Sequence, residues 1–224
     1  MALEPRPLET VARTGHSFAP AVGLPCEGAD SLVAMAHDDG VGIADVFKPA
    51  LLATLPSPPK AGLVTSLLAA PHAEAVILLV GHEDGSLAVW SIAPGSLQTK
   101  LLARRQLSKE PLLALAYCPQ QEAGVAAGPL ANLLPFKLSL GGTNCLALRS
   151  DGRLLAAGGW DGRVRVFEFP SCRPLATLKY HVGDAVTAVA WGSPARGLLA
   201  TSSCTGSVAL YRLYPTADAL VKDP

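Results

Sequence analysis

The chain has 224 residues, half of them hydrophobic and 16% charged, with 18 Lys and Arg against 18 Asp and Glu. A zero formal balance argues against a role built on neutralising nucleic-acid phosphates, and this much apolar content argues against disorder throughout. Twenty-one glycines and 19 prolines, set against 5% aromatics, favour a turn-rich architecture.

The five cysteines (Cys26, Cys118, Cys145, Cys172 and Cys204) are odd in number and widely scattered. With no CxxC among them, neither a zinc site nor a disulfide framework is indicated, and buried reduced thiols are expected. Glu4, Arg6, Glu9 and Arg13 stand where a signal peptide needs an apolar stretch. The longest unbroken aliphatic run, Ala75 to Val80, falls far short of the roughly 20 residues of a membrane span. The expectation is a soluble intracellular protein with no membrane contact.

Residues 1–15 are rich in proline and charge, and read as a tail or the remnant of an outer strand. Three apolar runs follow, Ser31–Ala36, Val41–Phe47 and Ala50–Leu55, with turn chemistry at His37-Asp38-Asp39-Gly40 between the first two. Leu63–Ala70 opens a second unit. Ala75–Trp90 continues it as an aliphatic strand, a Glu83-Asp84-Gly85 turn, and a strand ending in Trp90. Leu97–Leu102 supplies an outer strand. Pro111–Cys118 opens a third unit that degrades: Val125–Gly128 is a plausible strand, but the run around Pro135 is demoted by its proline.

Residues 150–167, SDGRLLAAGGWDGRVRVF, are the most regular stretch. Asp151-Gly152 and Asp161-Gly162 bracket two short strands, because Asp-Gly tolerates the positive φ that a tight hairpin demands. Asn144–Leu148 precedes them and Arg173–Leu178 follows as an outer strand. From His181 the pattern returns through Ala185–Trp191, Gly197–Ser203, a Cys204-Thr205-Gly206 turn and Ser207–Tyr211. Trp90, Phe167 and Tyr211 each fall six residues after Asp84, Asp161 and Thr205. Gly162 and Gly206 are 44 residues apart. A period of about 40 to 45 with four strands each is the signature of propeller blades. The units run over residues 16–60, 61–105, 110–141, 142–179 and 180–214, with 216–224 as a C-terminal tail.

These residues resemble the WD-repeat family. SDGRLLAAGGWDGRVRVF looks like the family's inner three strands, with Phe167 in place of the usual Trp. His181 matches the His of the family's Gly-His pair, and Asp84 and Asp161 match its turn Asp. Thr205 departs from that pattern. LLVGHEDGSLAVW, AAGGWDGRVRVF and SVALYRLYP further resemble the subfamily that joins fungal ASTRA-associated protein 1 with animal guanine nucleotide-binding protein beta-subunit-like protein 1. The resemblance implies an all-β WD-repeat β-propeller of seven blades. About five are accommodated here, so N-terminal blades are expected before Met1. A five-bladed ring is the alternative. Asp84, Gly85, Trp90, Asp161, Gly162, Phe167, His181, Gly206 and Tyr211 are then blade-forming residues, with Ser202 or Ser203 as hydrogen-bond partners of His181.

Trp160 is the leading candidate for partner contact, with Arg163 and Arg165 beside it, since Trp and Arg dominate binding hot spots. The competing reading packs Trp160 over a neighbouring blade and makes both arginines ordinary strand-face residues. His82-Glu83-Asp84 lies consecutively in a turn and cannot converge as ligands. Thr201-Ser202-Ser203-Cys204 lacks a nucleophile elbow, and no phosphate-binding glycine loop is present. No catalysis, cofactor, metal, nucleic acid or small-molecule substrate is therefore expected. The resemblance implies a scaffold that binds other proteins, ASTRA subunits and Tel2-type co-chaperones of phosphatidylinositol-3-kinase-related kinases. It also implies a chromatin-regulator role in the nucleus, with the cytoplasm as second compartment. A G-protein-beta-like signalling adaptor, and less so an enzyme with its site in the propeller channel, stay open.

Overall fold

The computed structural model describes residues 20–25, 32–37, 40–47, 50–72, 75–93, 95–128, 132–133, 136–137 and 142–216. Strands dominate them, interrupted by one short 3-10 turn and no α-helix. The strands gather into two units that divide between Lys109 and Glu110.

In the first unit, β1 (Ala21–Gly23), β2 (Leu32–His37), β3 (Gly40–Asp45) and β4 (Ala50–Pro56) form an antiparallel meander in chain order. A second meander follows from β5 (Val64–His72), β6 (Ala75–His82), β7 (Ser86–Ala93) and β8 (Gln98–Gln106). Alternation decides which side chains go inward. Leu32, Ala34 and Ala36 of β2 and Ala88, Trp90 and Ile92 of β7 are buried, and their neighbours are half-buried. The two sheets share one core, in which Ile43 and Leu55 meet Val76, Leu78 and Val80. Full burial of each such side chain is worth about 1.5–3 kcal/mol. β6, aliphatic from Ala75 to Val80, is buried on both faces.

Three features depart from the sequence reading. β1 is a three-residue strand, too short to leave a periodic signal. β3 stops at Asp45 rather than Phe47, because the Asp45 carboxylate accepts the Phe47 amide at 2.9 Å and turns the chain, leaving Phe47 exposed. β8 continues to Gln106, four residues beyond the predicted outer strand. The turn residues Asp38 and Asp39 and the tails 1–15 and 217–224 lie outside the described residues.

The second unit opens with β9 (Ala114–Cys118), a 3-10 turn over Pro119–Gln121 and β10 (Ala123–Ala127), followed by the two-residue ladder of β11 (Asn132–Leu133) with β12 (Phe136–Lys137). A four-stranded meander then runs through β13 (Thr143–Leu148), β14 (Leu154–Gly159), β15 (Val164–Glu168) and β16 (Pro174–Leu178). The last sheet has three strands, β17 (Val186–Trp191), β18 (Leu198–Ser203) and β19 (Val208–Arg212). These antiparallel meanders are propeller blades.

The β13–β16 sheet is covered on both sides. Leu155, Ala157 and Phe167 pack with Ala116, Val125 and Ala127 on one face. Ala156, Val164 and Val166 meet Val186 and Leu199 on the other. Polar ties reinforce the second contact: Trp191 Nε1 donates to the Ala147 carbonyl, and Asn144 Nδ2 to that of Val186, each at 3.1 Å. Arg149, which the sequence reading passed over, is buried. It grips Asp151 through Nε and Nη2 at 3.0 and 2.7 Å, donates Nη1 to the Tyr214 carbonyl at 2.7 Å, and lies 5.7 Å from the Trp191 ring centroid.

Of the thiols, Cys118 and Cys172 are buried as expected, Cys145 is half-buried and Cys204 is exposed; Cys26 lies outside the described residues. Burial pushes the Cys145 thiol up to about 11, so it is protonated at neutral pH.

Gly162 (φ +72°) and Gly206 (φ +83°) occupy equivalent turns with different surroundings. A Cβ on Gly162 would collide with the His181 carbonyl, whereas one on Gly206 would meet open space. Gly162→Ala is therefore expected to cost about 3 kcal/mol or more, and Gly206→Ala only the roughly 1 kcal/mol of left-handed strain. Urea unfolding of the two variants measures the difference.

Candidate protein-binding hairpin

The turn joining β14 to β15 presents Trp160 and holds it in place. The Trp160 amide donates to the Gly142 carbonyl at 2.8 Å, and the Gly162 amide to that of Gly159 at 3.2 Å. Asp161 locks the rest. Its Oδ1 accepts the Arg163 amide at 3.2 Å and Arg165 Nη1 at 3.2 Å. Its Oδ2 accepts Arg165 Nη2 at 2.6 Å and Arg163 Nη1 at 3.1 Å. Such a fork-on-carboxylate geometry is among the strongest ion pairings available to side chains.

The three residues singled out around this turn differ in availability. Trp160 is 47% exposed. The Arg163 side chain is 37% exposed and only partly committed to Asp161. Arg165 is 8% exposed, on the face that carries Phe167, and spends its guanidinium on Asp161. The hairpin therefore offers an aromatic and one cation to solvent, on a rigid base. Arg165 is part of that base.

Burial alone would push the Asp161 carboxyl up. The hydrogen bonds from Arg165 and from the Arg163 amide, with the Arg165 charge, outweigh it and hold the carboxyl below its usual range.

The same turn recurs in the first unit with less behind it. Asp84 Oδ1 accepts the Ser86 amide at 2.7 Å, and Arg104 Nη2 stands 3.5 Å from Oδ2. Gly85, at φ +80°, donates its amide to the His82 carbonyl. Glu83 points away and accepts the Leu63 amide at 3.2 Å. His82 is buried and donates Nδ1–H to the Ser86 carbonyl at 3.3 Å; burial lowers its pKa, only partly opposed by that bond. The three residues serve the turn and do not converge.

In the last sheet, Thr205 stands at the turn position and a hydroxyl network replaces the carboxylate. His181, 2% exposed, places Nε2 2.8 Å from Thr201 Oγ1 and Nδ1 2.9 Å from Ser207 Oγ. Ser207 continues to Ser203 at 2.7 Å, Ser203 to Thr205 at 2.9 Å, and Thr205 donates to Asp184 Oδ2 at 3.0 Å. The direct partners of His181 are thus Thr201 and Ser207, correcting the expectation of Ser202 or Ser203. Strand alternation is the reason: Thr201 and Ser203 are buried, while Ser202 faces the other way and pairs with Thr187 at 3.0 Å. The three aromatics, Trp90, Phe167 and Tyr211, each pack into a separate core cluster. Among the described residues, no three His, Cys, Asp or Glu side chains come together as a metal site.

Residues 138–168 and 172–212 match the WD domain, G-beta repeat family. Those two segments are similar to WD repeats. The second match begins at the outer strand β16 and runs through β19, so a WD repeat in sequence straddles two sheets in space. Among curated proteins, the chain is similar to guanine nucleotide-binding protein subunit beta-like protein 1 of Mus musculus, 31% identical over 62% of this chain and 45% of that protein. It is also similar to ASTRA-associated protein 1 of Verticillium alfalfae (30% identical, 57% of this chain and 36% of that protein) and of Schizosaccharomyces pombe (26% identical, 62% and 44%). The chain spans less than half the length of each of these relatives. Its fold is similar to that of Chaetomium thermophilum Raptor (TM-score 0.66, 16% identity, 81% of this chain and 18% of that one). It is likewise similar to the designed protein Ika8 (TM-score 0.63, 17% identity, 82% and 56%).

Removing the carboxylate that holds this turn leaves the buried Arg165 guanidinium without a counter-charge. Asp161→Asn is expected to lower stability at neutral pH by about 2–3 kcal/mol. Because the folded-state pKa is depressed, the contribution is full above the unfolded carboxyl value and lost as pH falls through the lower folded one. Urea unfolding of wild type and variant across pH should show the gap close below about pH 4.

Proposed function

We propose that this chain is a non-catalytic WD-repeat scaffold that binds another protein through the Trp160 hairpin. One observation carries the reading: a half-exposed Trp on a turn whose base, Arg165 on Asp161, is fixed internally. A rigid aromatic anchor loses little entropy on binding and brings large contact area, which is what hot spots use. Arg163 supplies an adjacent, partly free cation.

Similarity to ASTRA-associated protein 1 supports a finer reading. The chain acts as a subunit of an ASTRA-type assembly, in contact with Tel2-type co-chaperones that mature phosphatidylinositol-3-kinase-related kinases, with a chromatin-linked role in the nucleus. Similarity to a guanine nucleotide-binding protein subunit beta-like protein supports a second reading, a G-protein-beta-like signalling adaptor.

Affinity purification of the tagged chain from its own cells, followed by mass spectrometry, separates the two. Co-chaperones and kinase clients support the first, gamma-like subunits the second. In the same experiment Trp160→Ala should weaken partner binding by about thirtyfold, with stability changed by no more than about 0.5 kcal/mol. Undiminished capture would sink the hairpin assignment. A loss of several kcal/mol in folding stability would make Trp160 a packing residue instead.

A further inference from the structure

Outer strand β8 differs from the other outer strands. It runs nine residues, against seven for β4 and five for β16. Among the described residues it pairs with β7 alone, so its outward row of backbone N–H and C=O groups faces no strand. All but one of its residues are exposed. It carries Lys100, Arg104 and Arg105 and no acid, whereas β4 and β16 carry no charge.

A bulge sets where those charges point. Lys100 pairs across the ladder with Ser91 and Arg105 with Leu87, while the register shifts by one residue at Leu102. Five positions apart on a regular strand, Lys100 and Arg105 would face opposite sides. With one residue absorbed by the bulge they share a side. Their β7 partners are four residues apart, which separates the two cations by about 13 Å. Arg104 falls on the other side, beside Asp84. Lys100 and Arg105 enter no ion pair among the described residues.

We propose that the β8 edge binds an acidic, extended segment of a partner protein. The segment adds as a further strand and sets two carboxylates, four residues apart on one face, against Lys100 and Arg105. The backbone row supplies hydrogen bonds that any extended chain can use, and the paired cations select which chain does so. A nucleic acid matches the charge alone: its phosphates are closely and evenly spaced, and it has no strand ladder to offer. This surface uses none of the residues of the Trp160 hairpin and stands independently of it.

The test is fluorescence polarisation of the full chain with a labelled peptide of about ten residues, alternating Thr and Val, with two Glu four residues apart. Binding is expected, weakened about tenfold by Lys100→Glu/Arg105→Glu. A peptide with Lys in place of both Glu should prefer that double variant. The neutral pair Lys100→Gln/Arg105→Gln should give an intermediate loss, and a thermal melt checks that each variant is folded. The proposal is overturned if the Glu peptide does not bind, or if the double variant binds it unchanged. It also fails if a peptide with its two Glu on opposite faces binds equally well, or if a short single-stranded oligonucleotide displaces the peptide at equal concentration. Trp160→Ala, tested alongside, should leave peptide affinity unchanged.

Discussion

The β14–β15 hairpin depends on one carboxylate serving two guanidinium groups. Taking Arg165 out of water costs several kcal/mol, and only a well-aligned partner offsets that. Asp161 is so aligned because Gly162 adopts a left-handed conformation that turns β15 back under the carboxylate. The turn in its turn fixes the approach of the next segment, since the backbone at His181 passes where a Gly162 side chain would be. Small residues Ala156 and Ala157 let the two-sided cores close on β14. The exposed Trp is thus the outer end of a chain of constraints that begins with a buried charge.

Three turns with near-identical backbones solve the same electrostatic problem differently. Asp84 and Asp161 each accept the amide two residues on. Thr205 cannot accept in that way with a charge, and its hydroxyl instead links Ser203 to Asp184, a carboxylate brought in from the preceding loop. The buried imidazole of His181 closes that network at its other end. Hydroxyl networks of this kind rigidify when complete, because a low dielectric strengthens each bond and penalises any that is missing.

What was legible in the sequence follows from how directly a residue type dictates its geometry. Asp-Gly turns and the six-residue spacing to an aromatic mark the hairpins of β6–β7 and β14–β15, because few other residues satisfy a positive φ followed by a strand. The four-stranded sheets followed from the same pattern. β1 was not legible, since three residues carry no period, and Phe47 was misplaced because a single side-chain-to-backbone bond at Asp45 outweighs an apolar run. The true partners of His181 depended on strand alternation, which turns Ser202 away, and on Ser207, which reaches the ring from beyond the Cys204-Thr205-Gly206 turn. The fate of Arg165 was hidden for a different reason. An Arg alternating with valines reads as a solvent face, and only a sheet buried on both sides turns it inward.

The same logic separates what this chain offers to partners from what it keeps for itself. On the Trp160 turn Arg165 is consumed internally, and the aromatic is left over with part of Arg163. On β8 the backbone ladder to β7 holds the strand, and Lys100 and Arg105 are left over. A charged edge repels strands of like sign and imposes on a neutral strand the cost of desolvating the edge's cations, which protects the sheet from indiscriminate edge-to-edge pairing. That protection becomes a selection rule once an oppositely charged strand is available, because a barrier to most partners is an attraction to one class. The bulge at Leu102 sharpens the rule, since it converts two scattered cations into a spaced pair on one face. A feature that first looks like a defect in the ladder is therefore what gives the edge a preference.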